Sequence, residues 1–485
     1  MMNSMKIFSA LMILILLFSG CEDKGYGTQD IGYVPSVTSS DKVTLISTIP
    51  DDQGDLAQRA YFNLSFSSYI DATTVSQNSI VLREGDTKVE TEYIVIRNFV
   101  FVKPTRSLDL NQSYTLTVTG LKDIFGNEQE QTYHLAYRCV SDFWERVAAG
   151  VSNSMAKSRA GDLYIWGSNT PLSIDILIEE TTFINIDMPL PLPNSKGAIS
   201  FDVAAQTIAI VTQTGDLVEL GNNNYSDRSD ANYRSVALGS SHSVVLKEDG
   251  TIFSWGNNDR GQLGASLILN ESTTPIQEYT QDSNWSAVKA GSEFTVALKK
   301  DGSLWGWGDN SSAQIGRNFE FIPLPREFNS STTTVNSWSN ISAGGQHTLA
   351  LDDNGTLWAW GDNTYGQLGN GSNLLSRTGT KVQSPVAFKV MSAGDDHSMA
   401  IDDNNSLWSW GHNGSGQLGT GDTISLNTPT QEINSTRRWS QVSAGKDYTL
   451  GITTDGRLWA WGTNTFLRLG LDENITATAV PMEVK

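Results

Sequence analysis

The run His347-Thr348-Leu349-Ala350-Leu351-Asp352-Asp353-Asn354-Gly355-Thr356-Leu357-Trp358-Ala359-Trp360-Gly361-Asp362-Asn363-Thr364-Tyr365-Gly366-Gln367-Leu368-Gly369 decides the architecture. Near-copies follow at His397 to Gly419 and at Tyr448 to Gly470, and looser ones precede it. From about residue 144 to its C-terminus the chain therefore reads as seven copies of one unit. The second tryptophan of the unit recurs at 166, 255, 307, 360, 410 and 461, with Leu220 in the remaining place. Most steps are 50 to 54 residues; the step from Leu220 to Trp255 is 35.

Inside the run, Leu349 and Leu351, then Trp358 and Trp360, alternate with smaller or polar residues, the period of a strand. A turn lies between the two strands. Its glycine recurs as Gly161, Gly215, Gly250, Gly302, Gly355 and Gly456, and Asn405 stands there in the sixth copy. Two-residue hairpins need positive φ, which Gly adopts freely and Asn tolerates better than other residues. The single replacement is the one that this geometry most readily accepts.

Three aromatic columns emerge from the alignment of the copies. The first holds Trp144, Tyr233, Trp285, Trp338, Phe388 and Trp439, with Ala198 in the second copy. The next holds Tyr164, Phe253, Trp305, Trp358, Trp408 and Trp459, with Val218 there, and the last is the Trp166 to Trp461 series. All 14 tryptophans fall in these columns, so they are expected to be packing residues and none remains to build an aromatic binding groove. A small antiparallel sheet cannot bury both of its own faces. Neighbours packed around an axis can, and seven sheets can close into a ring.

Ser342-Ala343-Gly344-x-x-His347-Thr348-x-Ala350-Leu351 and Trp360-Gly361-x-Asn363-x-x-Gly366-Gln367-Leu368-Gly369 strongly resemble the regulator of chromosome condensation repeat. That resemblance implies a seven-bladed β-propeller. Copy 2 (roughly 198–221) is degenerate, with Ala204 in a Gly column and Thr207 in the His column, so a thin or distorted blade is expected there. The tail Pro481-Met482-Glu483-Val484 has no successor and is expected to dock beside Phe143-Trp144 and close the ring.

Before the repeats, short alternating runs such as Tyr61 to Phe66, Phe99 to Val102 and Tyr114 to Val118 give six or seven strands in about 95 residues, the profile of a β-sandwich. Ser47-Thr48-Ile49-Pro50, Leu108…Tyr114-Thr115-Leu116-Thr117-Val118 and Lys122-Asp123-Ile124-Phe125-Gly126-Asn127 resemble the bacterial Ig-like domain. In that family Asp-x-x-Gly-Asn forms a turn before the last strand, here Asp123, Gly126 and Asn127. Such domains usually act as spacers. The fold class read from the whole is all-β: a small Ig-like β-sandwich at 42–138, then a seven-bladed β-propeller at 139–485.

The N-terminus reads as a targeting segment. Lys6 precedes an apolar run from Ile7 to Phe18, too short to span a bilayer comfortably, which ends at Ser19-Gly20-Cys21. This resembles the lipobox of bacterial lipoproteins, with Phe18 where that family usually has Leu. The resemblance implies a signal peptide at 1–20 and a lipid on Cys21. Residues 22–41 are polar, rich in Gly, Ser, Thr and Asp and without periodicity, so 21–41 read as a flexible tether. The expected location is the bacterial cell envelope, outer membrane or cell surface. The only other cysteine, Cys139, sits beside apolar residues and reads as a buried small hydrophobe, not a nucleophile.

Net charge is −20, and no Lys/Arg cluster interrupts it, a balance that repels phosphate backbones. His242, His347 and His397 share one column, but Asn153, Thr207, Phe294 and Tyr448 occupy it elsewhere. A ligand is not exchangeable for Phe, so the column reads as structural. Asp352-Asp353-Asn354-Gly355 and Asp402-Asp403-Asn404 lack the spacing and distal Glu of a calcium loop. No phosphate-cradling loop, nucleophile elbow or zincin motif occurs. The expectation is thus no catalytic residue, no metal, no cofactor, and a monomeric, non-enzymatic binding protein. Its partner would be an extracytoplasmic protein or glycan and not nucleic acid, contacted by residues that the sequence does not single out. Rival readings are an envelope enzyme acting on glycans from one propeller face, and a structural envelope component. The connections at roughly 168–197, 265–283, 311–335, 370–386 and 420–437 vary most and are the expected places of recognition.

Overall fold

The computed structural model describes residues 42–484 apart from 59–60, 142, 169–185, 193–194, 205–206, 222–225, 228–231, 266–268, 329–334 and 336. Each copy of the repeat is one four-stranded antiparallel sheet whose strands follow in chain order. The blade containing the opening run is built from Trp338–Ala343, His347–Asp352, Leu357–Gly361 and Ser376–Lys381. Its second and third strands are buried throughout, because neighbouring blades cover both faces. The seven blades, numbered here 1 to 7, begin at Trp144, Ser200, Tyr233, Trp285, Trp338, Phe388 and Trp439. Blade 2 is thin as expected: among the described residues its fourth strand is Ser226–Asp227.

The hairpins differ from expectation in length. Gly355 N–H donates to Asp352 O at 3.0 Å and Asp352 N–H to Thr356 O at 3.1 Å, so the loop has three residues, the last left-handed. All seven hairpins repeat this pattern, with Asn405 at φ 64° where the others carry glycine at positive φ. The residue demand is the same as in a two-residue turn, which is why the sequence does not separate the two.

Blade 7 closes on blade 1 without exchanging a strand. The inner strand Trp144–Ala149 packs against Trp439–Ala444 and Tyr448–Thr453, and Trp144 N–H donates to Gly456 O at 3.0 Å. The tail Ala477–Glu483 pairs with Leu458–Thr463 as the outer strand of blade 7. Val484, just beyond it, joins the apolar cluster of Phe143 and Trp144, so the tail reaches the expected neighbours from within its own blade.

The aromatic columns pack as rows. Trp338 meets Trp358 at 6.3 Å and Trp360 at 5.9 Å between centroids, both edge-to-face, and Trp439 does the same with Trp459 and Trp461. The middle column lies nearest solvent and is capped by cations: Lys299 Nζ stands 3.9 Å from the Trp305 centroid and the Arg437 guanidinium 3.9 Å from that of Trp459.

Residues 42–141 form two sheets. One runs Leu45–Ile49, Phe62–Phe66, Phe99–Pro104, Thr91–Ile96; the other runs Asp55–Leu56, Tyr133–Cys139, Ser113–Val118, Ile80–Glu84, Thr87–Val89. Nine strands replace the six or seven expected, since pieces as short as Asp55–Leu56 show no period. Alternate residues fill the space between the sheets, among them Leu64, Val102, Leu82, Leu116 and Leu135. Asp123 orders the expected turn, accepting from Phe125 N at 2.9 Å and Asn127 N at 2.8 Å.

The sandwich leans on the outer strand of blade 1, Ile186–Pro191. Lys103 Nζ meets Asp187 Oδ2 at 2.7 Å, Tyr61 N–H donates to Pro189 O at 3.1 Å, and Phe101 joins the blade 1 cluster. Lys196 pairs with Asp51 just beyond. None of these contacts involves the connections between the first and second strands of the blades.

Candidate functional site

The inner strands converge on one axial mouth. Each ends in a connection such as Gly344-Gly345-Gln346, Gly394-Asp395-Asp396 or Gly445-Lys446-Asp447, and the leading residues of these, among them Gly344, Gly394, Asp395, Gly445 and Lys446, line a cavity of about 190 Å³. Glycine is required by proximity. A Cβ on Gly344 would stand 2.4 Å from Gly394 O, and one on Gly394 would stand 2.5 Å from Gly445 O. The serine two residues earlier stitches blade to blade: Ser342 Oγ accepts from Ala393 N at 3.0 Å, Ser392 Oγ from Ala444 N at 2.9 Å, and Ser443 Oγ from Ala149 N at 2.9 Å. Asp202 does this in blade 2, its Oδ2 accepting from Leu238 N at 2.9 Å. The polar groups lining the mouth are thus largely engaged by backbone. The cavity is also smaller than the roughly 300–1,000 Å³ of small-molecule sites.

Electrostatically the mouth is acidic towards blades 5 to 7. Burial, and then the neighbouring Asp396 carboxylate, push Asp395 up to about 6. Asp396 is raised too, by burial and then by Asp362. Lys446, Arg468 and His412 offset part of this charge, and Lys289 lines the mouth on the side of blade 4.

The histidine column faces blade junctions. His242, His347 and His397 place Nε2 at 3.0, 2.9 and 3.0 Å from Thr295, Ser398 and Thr449 of the following blade. Each of those hydroxyls gives its hydrogen to a backbone carbonyl, of Gln262, Gln367 and Gln417 respectively. The imidazoles must therefore donate from Nε2 and are neutral. Burial holds them at about 3, 4 and 3.

The same carbonyls also receive the third tryptophan column. Trp307, Trp360, Trp410 and Trp461 indoles donate to the carbonyls of Gln262, Gln314, Gln367 and Gln417 at 2.8–3.0 Å, and Trp166 donates to that of Arg468 at 2.9 Å. Blade 2 lacks the Gly-Gln-Leu-Gly loop. There the buried Glu219 carboxylate takes its place, accepting from Trp255 Nε1 and Ser243 Oγ at 2.7 Å each. The sequence hides this substitution, since a side chain replaces a carbonyl from another part of the unit.

The loop after each Trp-Gly is held by its own amides. Asn363 Oδ1 accepts from Leu368 N at 2.9 Å while Nδ2 donates to Leu374 O at 3.0 Å. Gln367 Oε1 accepts from Tyr365 N at 2.9 Å while Nε2 donates to Asp362 at 2.6 Å. Asn413 and Gln417 repeat the arrangement in blade 6, where the Gln417 amide meets His412 Nδ1 at 2.9 Å. These amides fix loop backbones that face solvent beside the mouth.

Other residues weighed from sequence prove structural. Cys139 is fully buried in the sandwich, and burial pushes its thiol up to about 12. Asp352 and Asp402 serve their hairpins, accepting from Asn354 and Asn404 amides, and hold the indoles of Trp358 and Trp408. Among the described residues no group of three or more His, Cys, Asp or Glu is placed to hold a metal ion.

Residues 226–485 match the RCC1-like domain, and residues 39–139 match the bacterial Ig-like domain. The chain belongs to the RCC1-like domain family. It is 30% identical over 352 residues to the RCC1 domain-containing protein RUG3, mitochondrial, of Arabidopsis thaliana, covering 67% of this chain and 66% of that one. It is 31% identical over 284 residues to the ultraviolet-B receptor UVR8 of the same plant, covering 56% and 52%. The chain thus spans between half and two thirds of the length of these curated relatives. Its fold is similar to that of Prp20p from Saccharomyces cerevisiae, with a TM-score of 0.50 and 19% identity over 70% of this chain and 77% of that one. Among the described residues, the polar groups that its blades share are committed to the joints between blades.

These relatives correct two expectations. A bacterial envelope location is overturned, because the relatives are plant proteins, one of them mitochondrial by name. The expected partners fall with it: an extracytoplasmic protein or glycan, and a membrane reached through lipid on Cys21. Cys21 and the segments 1–20 and 21–41 lie outside the described residues, and the described cysteine, Cys139, is buried.

Proposed function

We propose that this chain is a recognition scaffold whose RCC1-like ring presents the loops around the axial mouth to a protein partner. In this reading residues 42–138 are a spacer that braces the propeller, residues 139–485, at blade 1. One observation carries it. The groups common to the blades are used up in blade-to-blade bonds, while the loops after Trp360-Gly361 and Trp410-Gly411 have backbones held by their own amides and otherwise differing side chains turned to solvent. Attachment of the sandwich to the outer strand of blade 1 supports the reading, because the contacts of Lys103 with Asp187 and of Tyr61 with Pro189 involve none of the mouth residues.

The test is hydrogen exchange of the full-length chain with and without a partner purified on it. Protection is expected in the loops 258–271, 310–321, 362–376 and 412–426. Protection confined to the opposite hairpins, or to the Ig-like sandwich, would contradict the proposal.

A further inference from the structure

Leu269, Phe319, Leu374 and Ile424 occupy one place in four successive blades. The backbone carbonyl of each accepts the side-chain amide of the Trp-Gly-x-Asn asparagine, from Asn258, Asn310, Asn363 and Asn413, at 2.5–3.0 Å. Their side chains nevertheless point into solvent and are 44, 70, 76 and 64% exposed. A single exposed apolar residue is ordinary. Four at one repeat position form an arc along the rim of the mouth face in blades 3 to 6. The loops do not need these side chains, since the asparagines already hold the backbone. Blade 7 shows that the position can be covered: its counterpart Ile475 is partly buried against the cluster that joins blades 7 and 1. Tyr365 and Phe466, in the loops of blades 5 and 7, are exposed as well.

Inside that arc the face is acidic. Asp396 and Asp447 stand close enough to perturb Asp395, and Asp362 and Asp447 to perturb Asp396, while Lys446 and Arg468 offset part of this charge, on a chain of net charge −20. Resting on the scaffold reading above, we infer that the rim of blades 3 to 6 and the acidic mouth together form one docking surface for a basic protein segment. Apolar anchors of that segment would sit on Leu269, Phe319, Leu374 and Ile424, and its Lys or Arg side chains would reach the carboxylates. Charge complementarity selects this occupant. A second copy of the chain would set the same carboxylates against each other across a two-fold contact.

The probe is a phage-displayed random peptide library selected on the immobilised full-length chain, with the best peptides then synthesised. Enriched peptides are expected to combine Lys or Arg with aliphatic or aromatic residues. Their affinity should fall at least tenfold with Leu374→Ser/Ile424→Ser, and separately with Asp396→Asn/Asp447→Asn, and should weaken as salt rises. Leu374 and Ile424 face solvent, Asp396 and Asp447 are half-buried beside the mouth, and an unchanged near-ultraviolet tryptophan spectrum verifies the fold. Peptides that bind the parent and both variants equally would remove this surface while leaving the scaffold reading intact. Neutral or acidic enriched peptides would overturn the charge assignment. Self-association of the chain lost in Leu374→Ser/Ile424→Ser would give the arc to a second copy, and enrichment of no peptide at all would count against both readings.

Discussion

The indole N–H of Trp255 in blade 3 is bound by the Glu219 carboxylate of blade 2 at 2.7 Å, with Ser243 Oγ donating to the other oxygen at 2.7 Å. Elsewhere a backbone carbonyl takes both donors. Removing the acceptor strands two buried donors, so Glu219→Ala should lower stability by about 2–4 kcal/mol. Glu219→Gln, which keeps one acceptor oxygen, should lose less. Urea denaturation midpoints of the two variants measure the difference.

Burial raises the Glu219 pKa above its ordinary value, despite the two hydrogen bonds. The folded state thus holds the proton more tightly than the unfolded one. This contribution to stability is present below the unfolded pKa and is lost as pH rises through the folded pKa. Relative to Glu219→Gln, the parent should therefore gain stability as the solution is acidified below neutrality. Parallel unfolding curves at several pH values check the sign.

The histidines act in the opposite sense. His397 has a folded pKa of about 3 against an ordinary 6.5, so its neutral form stabilises the ring fully above 6.5 and is lost as pH falls through the folded value. Phe294 already occupies this column in blade 4, which makes His397→Phe a natural control. The stability of the parent relative to His397→Phe should drop by up to about 1.4 kcal/mol per pH unit below 6.5. A constant difference between pH 7 and 5 would refute it.

Hairpin glycines should separate by what surrounds them. At Gly355 (φ 74°) an added Cβ meets nothing nearer than 3.8 Å, so Gly355→Ala should show only the left-handed backbone penalty, about 1–2 kcal/mol. At Gly250 (φ 85°) the same Cβ would lie 2.3 Å from Ser283 O, and Gly250→Ala should be distinctly worse. Thermal melts of the pair give the ordering.

Much of this architecture is legible before any coordinates. Gly355 and Asn405 announce a left-handed turn position whatever the loop length, and the tryptophan columns mark the faces that blades must share. Glu219 was not legible, because its role is defined by donors in the next blade and by a loop that blade 2 lacks. The arc of exposed apolar residues did leave a signal: Leu269, Leu374 and Ile424 each lie fourteen residues beyond Trp255, Trp360 and Trp410. Phe319 lies twelve beyond Trp307, and its shorter loop breaks the register. Periodicity alone also cannot tell that a repeated apolar position faces water. The N-terminal reading shows the opposite failing, since a short motif around Cys21 carried inferences about location and partners that the relatives do not share.

Closure of the ring is the claim on which the rest depends, and it is concentrated where blade 7 meets blade 1. Tyr448 Oη accepts from Gly150 N at 3.0 Å, donates to Asn153 O at 2.6 Å and lies 2.9 Å from Ser154 Oγ, across nearly 300 residues of chain. A double-mutant cycle of Tyr448→Phe and Ser154→Ala in the full-length chain tests it directly. A closed ring predicts a coupling energy of about 0.5–3 kcal/mol, and additivity within about 0.3 kcal/mol would mean that the two blades do not meet.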